Sequence, residues 1–60
     1  MTKLLTLAEA AERLRKSEAQ IRWMIHRGTA PGSALIGGRR MFREDQIDAW
    51  IEAQFAREAS

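Results

Sequence analysis

Two stretches near the start of the chain repeat apolar residues at helical spacing, and each follows a capping motif. The first repeat lies behind Thr6-Leu7-Ala8-Glu9, which fits a capping box. Its apolar members follow the i, i+3, i+4, i+7 pattern and are Leu7, Ala10, Ala11 and Leu14. This pattern predicts a helix over residues 7–15, with small residues at the centre of its buried face and Leu4 or Leu5 as a hydrophobic staple.

The second repeat begins almost at once. Ser17-Glu18-Ala19-Gln20 fits another capping box, Ile21, Met24 and Ile25 form the apolar face, and Gly28 suits a left-handed helix end. Only Arg15 and Lys16 separate the two helical patterns. So short a connection predicts a helix-turn-helix unit.

A loop rich in helix-breaking residues, 29–33, leads to two short extended segments, 34–36 and 41–42. Between them lies Gly37-Gly38-Arg39-Arg40, whose glycines suit the positive φ of a hairpin turn. We therefore expect a β-hairpin with two arginines at its tip, which is typical of a wing. Alone such a hairpin is marginally stable, so it must pack on the helices.

The last helix is predicted to begin near Glu44, because Glu44 and Asp45 suit the positive first turn of a helix. Its apolar face includes Ile47, Trp50 and Ile51, and we expect Trp50, as the largest of these side chains, to form the centre of the core. The predicted fold is mainly α with a small β-hairpin, a winged helix-turn-helix of order α-α-β-β-α. The 60 residues are expected to form a single domain.

Composition excludes several classes of protein. The chain has no cysteine and only one histidine, His26, so neither a disulfide framework nor a metal site is expected, and no cofactor is predicted. No apolar run approaches the ~20 residues of a membrane span, and charged residues soon follow Leu4-Leu5, so no signal peptide is expected either. The expected location is the cytoplasm of a bacterial or phage-infected cell.

The net charge of +2 conceals a strong asymmetry. Residues 1–43 contain nine basic and three acidic residues, a net +6, whereas residues 44–60 contain one basic and five acidic residues, a net −4. Such polarity suits a protein that presents one face to a polyanion. Uneven charge also arises by chance in small domains, so this observation supports the prediction without carrying it.

The outward face of the second helix carries side chains suited to a DNA major groove. Arg22 can bind guanine in bidentate fashion, and Gln20 can read adenine or hold a phosphate. Ser17 suits a backbone phosphate together with the free amides of the first helical turn. Ala19 lies on the same face, whereas Glu18 is tolerable only near a cytosine amine or out of reach of phosphates.

Trp23 has three interpretations: it completes the small core, it contacts a thymine methyl or a sugar, or it contacts another protein. The sequence leaves these open. His26 is either a solvated surface residue or a DNA contact, and Arg27 is a weaker candidate for the same surface.

Arg39 and Arg40 are the stronger candidates, because arginines on a hairpin can enter a minor groove or hold phosphates. Further backbone contacts are expected from Arg15, Lys16 and Arg43. The predicted DNA-binding residues are therefore Arg15, Lys16, Ser17, Ala19, Gln20, Arg22, Trp23, Arg27, Arg39, Arg40 and Arg43.

Catalysis finds little support in the sequence, and no enzymatic activity is expected. Glu44, Asp48 and Glu52 are predicted to form a solvated row on the last helix. Gly37-Gly38 precedes a strand rather than a helix, so it does not form a phosphate-binding loop of the usual kind.

The order and spacing of many residues resemble the excisionase-like, MerR-related winged-helix domains. The resemblance spans residues 5–51 and is carried by Leu5-Thr6, Ala10-Ala11, Leu14, Ser17, Ile21, Ile25, Gly28, Pro31, Ile36-Gly37, Arg40, Phe42-Arg43 and Ile47-Asp48-Ala49-Trp50-Ile51. It implies that the second helix enters the major groove and that the wing touches an adjacent minor groove.

The resemblance further implies an excisionase, or recombination directionality factor, which binds and bends attachment-site DNA and directs an integrase toward excision. Several copies are then expected to associate cooperatively on the DNA, with Phe55 and the acidic last helix meeting the basic wing of a neighbour. A small phage or plasmid transcriptional regulator is the alternative, since the same surface serves both functions. A protein-interaction adaptor that uses Trp23 and Phe55 without DNA is a more remote one.

Overall fold

The structure, a computed structural model, describes residues 2–59 as three helices and one small antiparallel sheet. In chain order the elements are β1 (Leu4–Thr6), α1 (Leu7–Leu14), α2 (Glu18–Arg27), β2 (Ser33–Ile36), β3 (Arg39–Arg43) and α3 (Glu44–Ala59). This arrangement confirms the predicted winged helix-turn-helix fold. The predicted order lacked β1, so the expected two-stranded hairpin is in fact part of a three-stranded sheet.

The extra strand β1 pairs with β3, and the strand order is β1-β3-β2. Leu5 lies opposite Phe42 and Thr6 opposite Met41. With three residues, β1 is too short to show an alternating pattern, and only its pairing with a distant segment makes it a strand. The sheet therefore joins the start of the chain to the hairpin, which gives the hairpin the support that it lacks alone.

Both predicted capping boxes are present. The hydroxyl of Thr6 accepts from the Glu9 amide at 3.1 Å, and the Glu9 carboxylate accepts from the Thr6 amide at 2.8 Å. Helix α1 ends one residue earlier than predicted, because Arg15 adopts a left-handed conformation with φ 58°. At the end of α2, Gly28 has φ 76°, as predicted for its helix end.

The hairpin turn consists of Gly37 and Gly38 alone. Their φ values are 59° and 82°, the two positive angles that a two-residue type I′ turn requires. Arg39 is the first residue of β3 and pairs with Ile36, and Arg40 pairs with Leu35. The prediction that both arginines form the tip is therefore wrong, because a two-residue turn is sufficient and the arginines continue the strand.

The core is built from six buried apolar residues contributed by the sheet and all three helices. Phe42, Ile21 and Ile47 are its largest fully buried side chains, and the remaining members are Leu5, Ala10 and Ala11. The prediction that Trp50 is the centre of the core is wrong, since its side chain is only half-buried. Ile47, one turn earlier in α3, and Phe42 of β3 fill that place instead.

Helix α3 is held to the rest of the molecule at its beginning. The Glu44 amide donates to the Lys3 carbonyl at 2.8 Å, and the Asp45 amide donates to the Thr2 hydroxyl at 3.0 Å. Arg13 of α1 forms ion pairs with Glu44 and, at 3.1 Å, with Asp48. The prediction of a solvated acidic row is thus wrong for Glu44, which its contact with α1 partly buries, and holds for Asp48, whose side chain is 59% exposed although it pairs with Arg13.

Within residues 2–59, none of the helices combines the length and apolar character needed to span a membrane.

Candidate nucleic-acid interface

The start of α2 is fixed by its capping box, which determines what its first residues can offer to a ligand. The Ser17 hydroxyl accepts from the Gln20 amide at 3.1 Å, and the Gln20 side-chain oxygen accepts from the Ser17 amide at 2.9 Å. Gln20 therefore has its NH₂ group left for a phosphate, and a bidentate adenine contact would require the cap to open. Ala19 and Lys16 are exposed beside this turn.

The outward face of α2 carries an aromatic and cationic cluster. Trp23 is 59% exposed, its ring stacks with that of His26 at 6.1 Å between centroids, and the Arg27 guanidinium lies 5.6 Å from the Trp23 ring centroid. Trp23 therefore does not complete the core, and that interpretation of the sequence is wrong. A cation over the indole face restrains the ring on the surface, where it is available for contact.

A groove separates α2 from the hairpin, and predicted binding residues from both elements line it. Arg22 of α2 lies on one wall, and Arg39 and Arg40 of β3 lie on the other, around a volume of about 600 Å³. The remaining lining residues come from the start of α1, from α2 and from the hairpin: Thr6, Leu7, Ala8, Glu18, Leu35, Gly38 and Met41. Three arginines from two elements thus border one concavity, which is shaped by both helices of the helix-turn-helix unit and by the sheet.

Glu18 is the acidic residue of this groove. Its carboxylate lies 3.5 Å from the Arg22 guanidinium, one helical turn away, and both side chains are more than half exposed. An exposed pair of this kind is weak, so a phosphate or a base edge can compete with Glu18 for Arg22. The four charged side chains that line the groove carry a net charge of +2, which favours an anionic ligand; they are Glu18, Arg22, Arg39 and Arg40.

The two hairpin arginines are not equivalent, because successive residues of a strand point to opposite faces. Arg40 shares the face of Phe42, is half-buried, and donates to the Ser33 hydroxyl at 3.4 Å. Arg39 lies on the other face and is exposed. Arg40 is therefore held in place by its hydrogen bond with Ser33, whereas the exposed Arg39 side chain can extend into solvent.

Of the predicted DNA-binding residues, Arg22, Arg39 and Arg40 line this groove. Those on the rest of α2 and just before it are not part of its lining: Lys16, Ser17, Ala19, Gln20, Trp23 and Arg27. Arg15 and Arg43 lie on other surfaces. Arg15 lines a separate hollow beside α1, together with Glu9, Glu12, Arg13, Lys3 and Leu5. Arg43 lies at the far end of β3, on the sheet face turned away from the core, with its guanidinium 3.5 Å from Asp45. The positions of the Arg15 and Arg43 side chains depend on how the backbone folds in three dimensions, which the sequence pattern did not reveal.

Two side chains that hold α1 in place have shifted pKa values. The backbone amide of Thr6 donates to the Glu9 carboxylate and lowers its pKa. The hydrogen bond with Glu44 raises the pKa of the Arg13 guanidinium, helped by the nearby charges of Glu44 and Asp48. These groups fix α1 against β1 and α3, and so hold the walls of the groove in place.

Sequence reasoning missed the apolar part of the groove. Leu35 is 64% exposed and lines it next to Arg40, and the first residues of α1 form its floor. The signal available in the sequence was Leu35, an apolar residue near the hairpin tip to which no role had been assigned. Over residues 2–59, no three histidine, cysteine or acidic side chains are gathered as a metal site requires.

Together, the short turn between α1 and α2, the hairpin and the basic groove between them define a winged helix-turn-helix protein. A family model described as a helix-turn-helix domain matches residues 4–54, and the chain belongs to that family. It is a DNA-binding helix-turn-helix protein. Neither a search of curated proteins nor one of solved structures finds a match.

Proposed function

We propose that this protein is an excisionase-type accessory factor, which binds and bends attachment-site DNA and directs an integrase toward excision. The observation that supports a duplex ligand is the groove, which is lined by Arg22 of α2 and by Arg39 and Arg40 of the hairpin. In this proposal the protein performs no catalysis of its own and acts on double-stranded DNA in the cytoplasm.

In the proposed complex, α2 enters the major groove with Ala19, Trp23 and Arg22 toward the bases. One sugar-phosphate strand then runs through the groove between α2 and the hairpin, and Arg39 reaches the adjacent minor groove. Phosphate contacts fix the register, and base contacts select the sequence. The exposure of Trp23, restrained by Arg27, supports an apolar contact with a thymine methyl or a sugar.

A single copy is expected to bind weakly. If Lys16, Arg39 and Arg40 each neutralise one phosphate, the logarithm of the binding constant falls with the logarithm of salt concentration at a slope of about −2.7. Bending a site of 20–30 base pairs takes about 1–6 kcal/mol. So few contacts supply that energy only when several copies bind neighbouring sites and associate with one another.

The groove is tested by charge reversal. Arg39→Glu with Arg40→Glu should abolish binding of a labelled attachment-site duplex, measured by fluorescence anisotropy. Arg57→Glu is the matched control, because it reverses a charge on α3, outside the groove lining, and should change affinity little. Unchanged binding by the double variant would refute a DNA-binding role for the groove and favour an adaptor that uses its aromatic residues.

Single substitutions separate the roles of the two walls. Arg22→Ala should relax preference among related sites by about 1–3 kcal/mol of discrimination, whereas Arg39→Ala should weaken binding to all sequences alike and reduce the salt slope by about 1. Equal loss on every sequence for Arg22→Ala would assign Arg22 to the phosphate backbone instead.

The excisionase function itself requires a recombination assay. Purified protein added to the cognate integrase and a supercoiled substrate with both attachment sites should raise the yield of excised product, and the groove variant should not. Specific binding without any effect on excision would point to a transcriptional regulator, the alternative that uses the same surface.

A further inference from the structure

The face of the sheet turned away from the core carries an exposed apolar hollow. Its lining consists of Leu4, Gly32, Ser33, Ala34, Ile36, Met41, Arg43 and Gln46, around a volume of about 310 Å³. Leu4 is 48% exposed and Ile36 is 50% exposed, so about half of each residue remains open to solvent. Contiguous exposed apolar residues on one face are typical of an interaction surface.

A further exposed apolar residue lies on α3, away from the hollow. Phe55 of α3 is 70% exposed. Glu52 and Glu58 lie three residues before and after it, so they flank the ring on the same side of the helix. Phe55 is thus an exposed aromatic ring flanked by two carboxylates, and these three residues form the knob.

The hollow and the knob are complementary in size and charge. A cavity of about 310 Å³ has room for one phenyl ring. Arg43 lines the hollow, and its exposed pair with Asp45 at 3.5 Å is weak, so another carboxylate can replace Asp45. Glu52 and Glu58, about 9 Å apart along α3, bring two carboxylates to either side of the Phe55 ring.

The knob cannot reach the hollow of its own chain. Gln46 lines the hollow, and nine residues of continuous helix place Phe55 about 14 Å farther along α3. A straight helix does not fold back on its first turn, so the ring that fills the hollow must come from another molecule.

We propose that the hollow on the outer face of the sheet binds Phe55 of a second copy of this chain. The two surfaces differ, so the contact is head-to-tail and generates an open row of molecules rather than a closed dimer. This contact is the physical basis of the cooperative binding in the proposed function, and its biological role rests on that function. It also gives Arg43, which lies outside the DNA groove, the acidic end of a neighbouring α3 as its partner.

Complementation between two defective surfaces tests this contact without DNA. Ile36→Glu removes the hollow and Phe55→Lys removes the knob, and each substitution should weaken self-association at least about tenfold, measured by sedimentation equilibrium. Mixed together, the two variants should form a 1:1 heterodimer that grows no further, since each retains one intact surface. Ala49→Glu is the control, because Ala49 is exposed on α3 outside the linings of the hollow and of the DNA groove, and the substitution should leave self-association unchanged.

Several outcomes would overturn the proposal. These are a wild-type chain that stays monomeric at millimolar concentration, a mixture that forms no heterodimer, or an Ala49→Glu chain as defective as the Ile36→Glu chain. Circular dichroism confirms that each variant is folded before its association is measured.

DNA experiments separate this contact from the proposed function. On a duplex with one site, Phe55→Lys should bind as the wild type does, but on adjacent sites it should lose stepwise cooperative complexes. If the two variants form heterodimers in solution but the wild type has no effect on excision, the docking contact is supported and the excisionase function is rejected. Retained cooperativity in the Phe55→Lys chain would reject the contact.

Discussion

Arg15 occupies the turn between α1 and α2 in a conformation that disfavours its side chain. Among residues 2–59, it is the only non-glycine residue with positive φ. Its amide donates to the Glu12 carbonyl at 3.1 Å, and the next amide, that of Lys16, donates to Ala11 at 2.8 Å, so the helix end fixes the backbone here. Replacing Arg15 by glycine should therefore stabilise the protein.

The size of the effect follows from two opposing terms. A left-handed conformation costs an L-residue about 1–2 kcal/mol, because Cβ approaches the following carbonyl oxygen. Glycine avoids that strain but loses about 0.5–1 kcal/mol more than alanine when its backbone is ordered. The net gain for Arg15→Gly is about 0.5–1 kcal/mol, which raises the Tm of a domain of this size by about 2–8 °C.

Arg15→Ala is the matched control. It removes the same guanidinium but keeps Cβ, so its free energy of unfolding should stay within about 0.5 kcal/mol of the wild type. Gly28→Ala reverses the experiment at the end of α2, where φ is 76° and an added Cβ meets no atom within 4 Å. It should lose about as much stability as Arg15→Gly gains, since only backbone strain changes.

Urea unfolding followed by circular dichroism measures all three variants, and an unchanged m-value shows that the denatured state is comparable. Equal stability of Arg15→Gly and Arg15→Ala, alongside a destabilised Gly28→Ala, would refute the reasoning. In that case the backbone at the first helix end would have relaxed away from the left-handed conformation, and strain would not be stored there.

Three further predictions concern the scaffold. The lowered pKa of Glu9 contributes stability above the ordinary carboxyl pKa of about 4.3 and loses it as pH falls through the lower folded value, so the advantage of the wild type over Glu9→Gln at pH 7 should be lost in acid, measured by urea titrations. Ser17→Ala should destabilise the protein by about 1 kcal/mol, because the amide at the third position of α2 loses its cap, and a change no larger than that of Glu12→Ala, at an exposed position of α1, would contradict the capping assignment. Phe42→Ala should cost about 3–5 kcal/mol and Trp50→Ala only about 1 kcal/mol, measured by thermal unfolding, and the reverse order would restore Trp50 to the centre of the core.

Much of the site was predictable because its determinants are local. The capping boxes at Thr6 and Ser17, the left-handed Gly28 and the two-glycine turn each depend on a few consecutive residues. The same periodicity that buries Ile21 exposes Trp23 and Arg22 on the other side of α2. These local signals defined the elements and the candidate interface without any knowledge of their packing.

The amino-acid sequence by itself determined where the helices begin and end, where the hairpin turns and which face of α2 meets solvent, because hydrogen bonds and side-chain periodicity within a few residues decide these features. Only the tertiary structure decided that Leu4–Thr6 becomes a strand, that Phe42 rather than Trp50 fills the core, and that Arg22 shares a groove with Arg39 and Arg40 while Arg15 and Arg43 lie elsewhere. Those outcomes depend on pairing and packing between segments far apart in the chain, such as Leu4 and Arg43, which are 39 positions apart, and no local pattern encodes them.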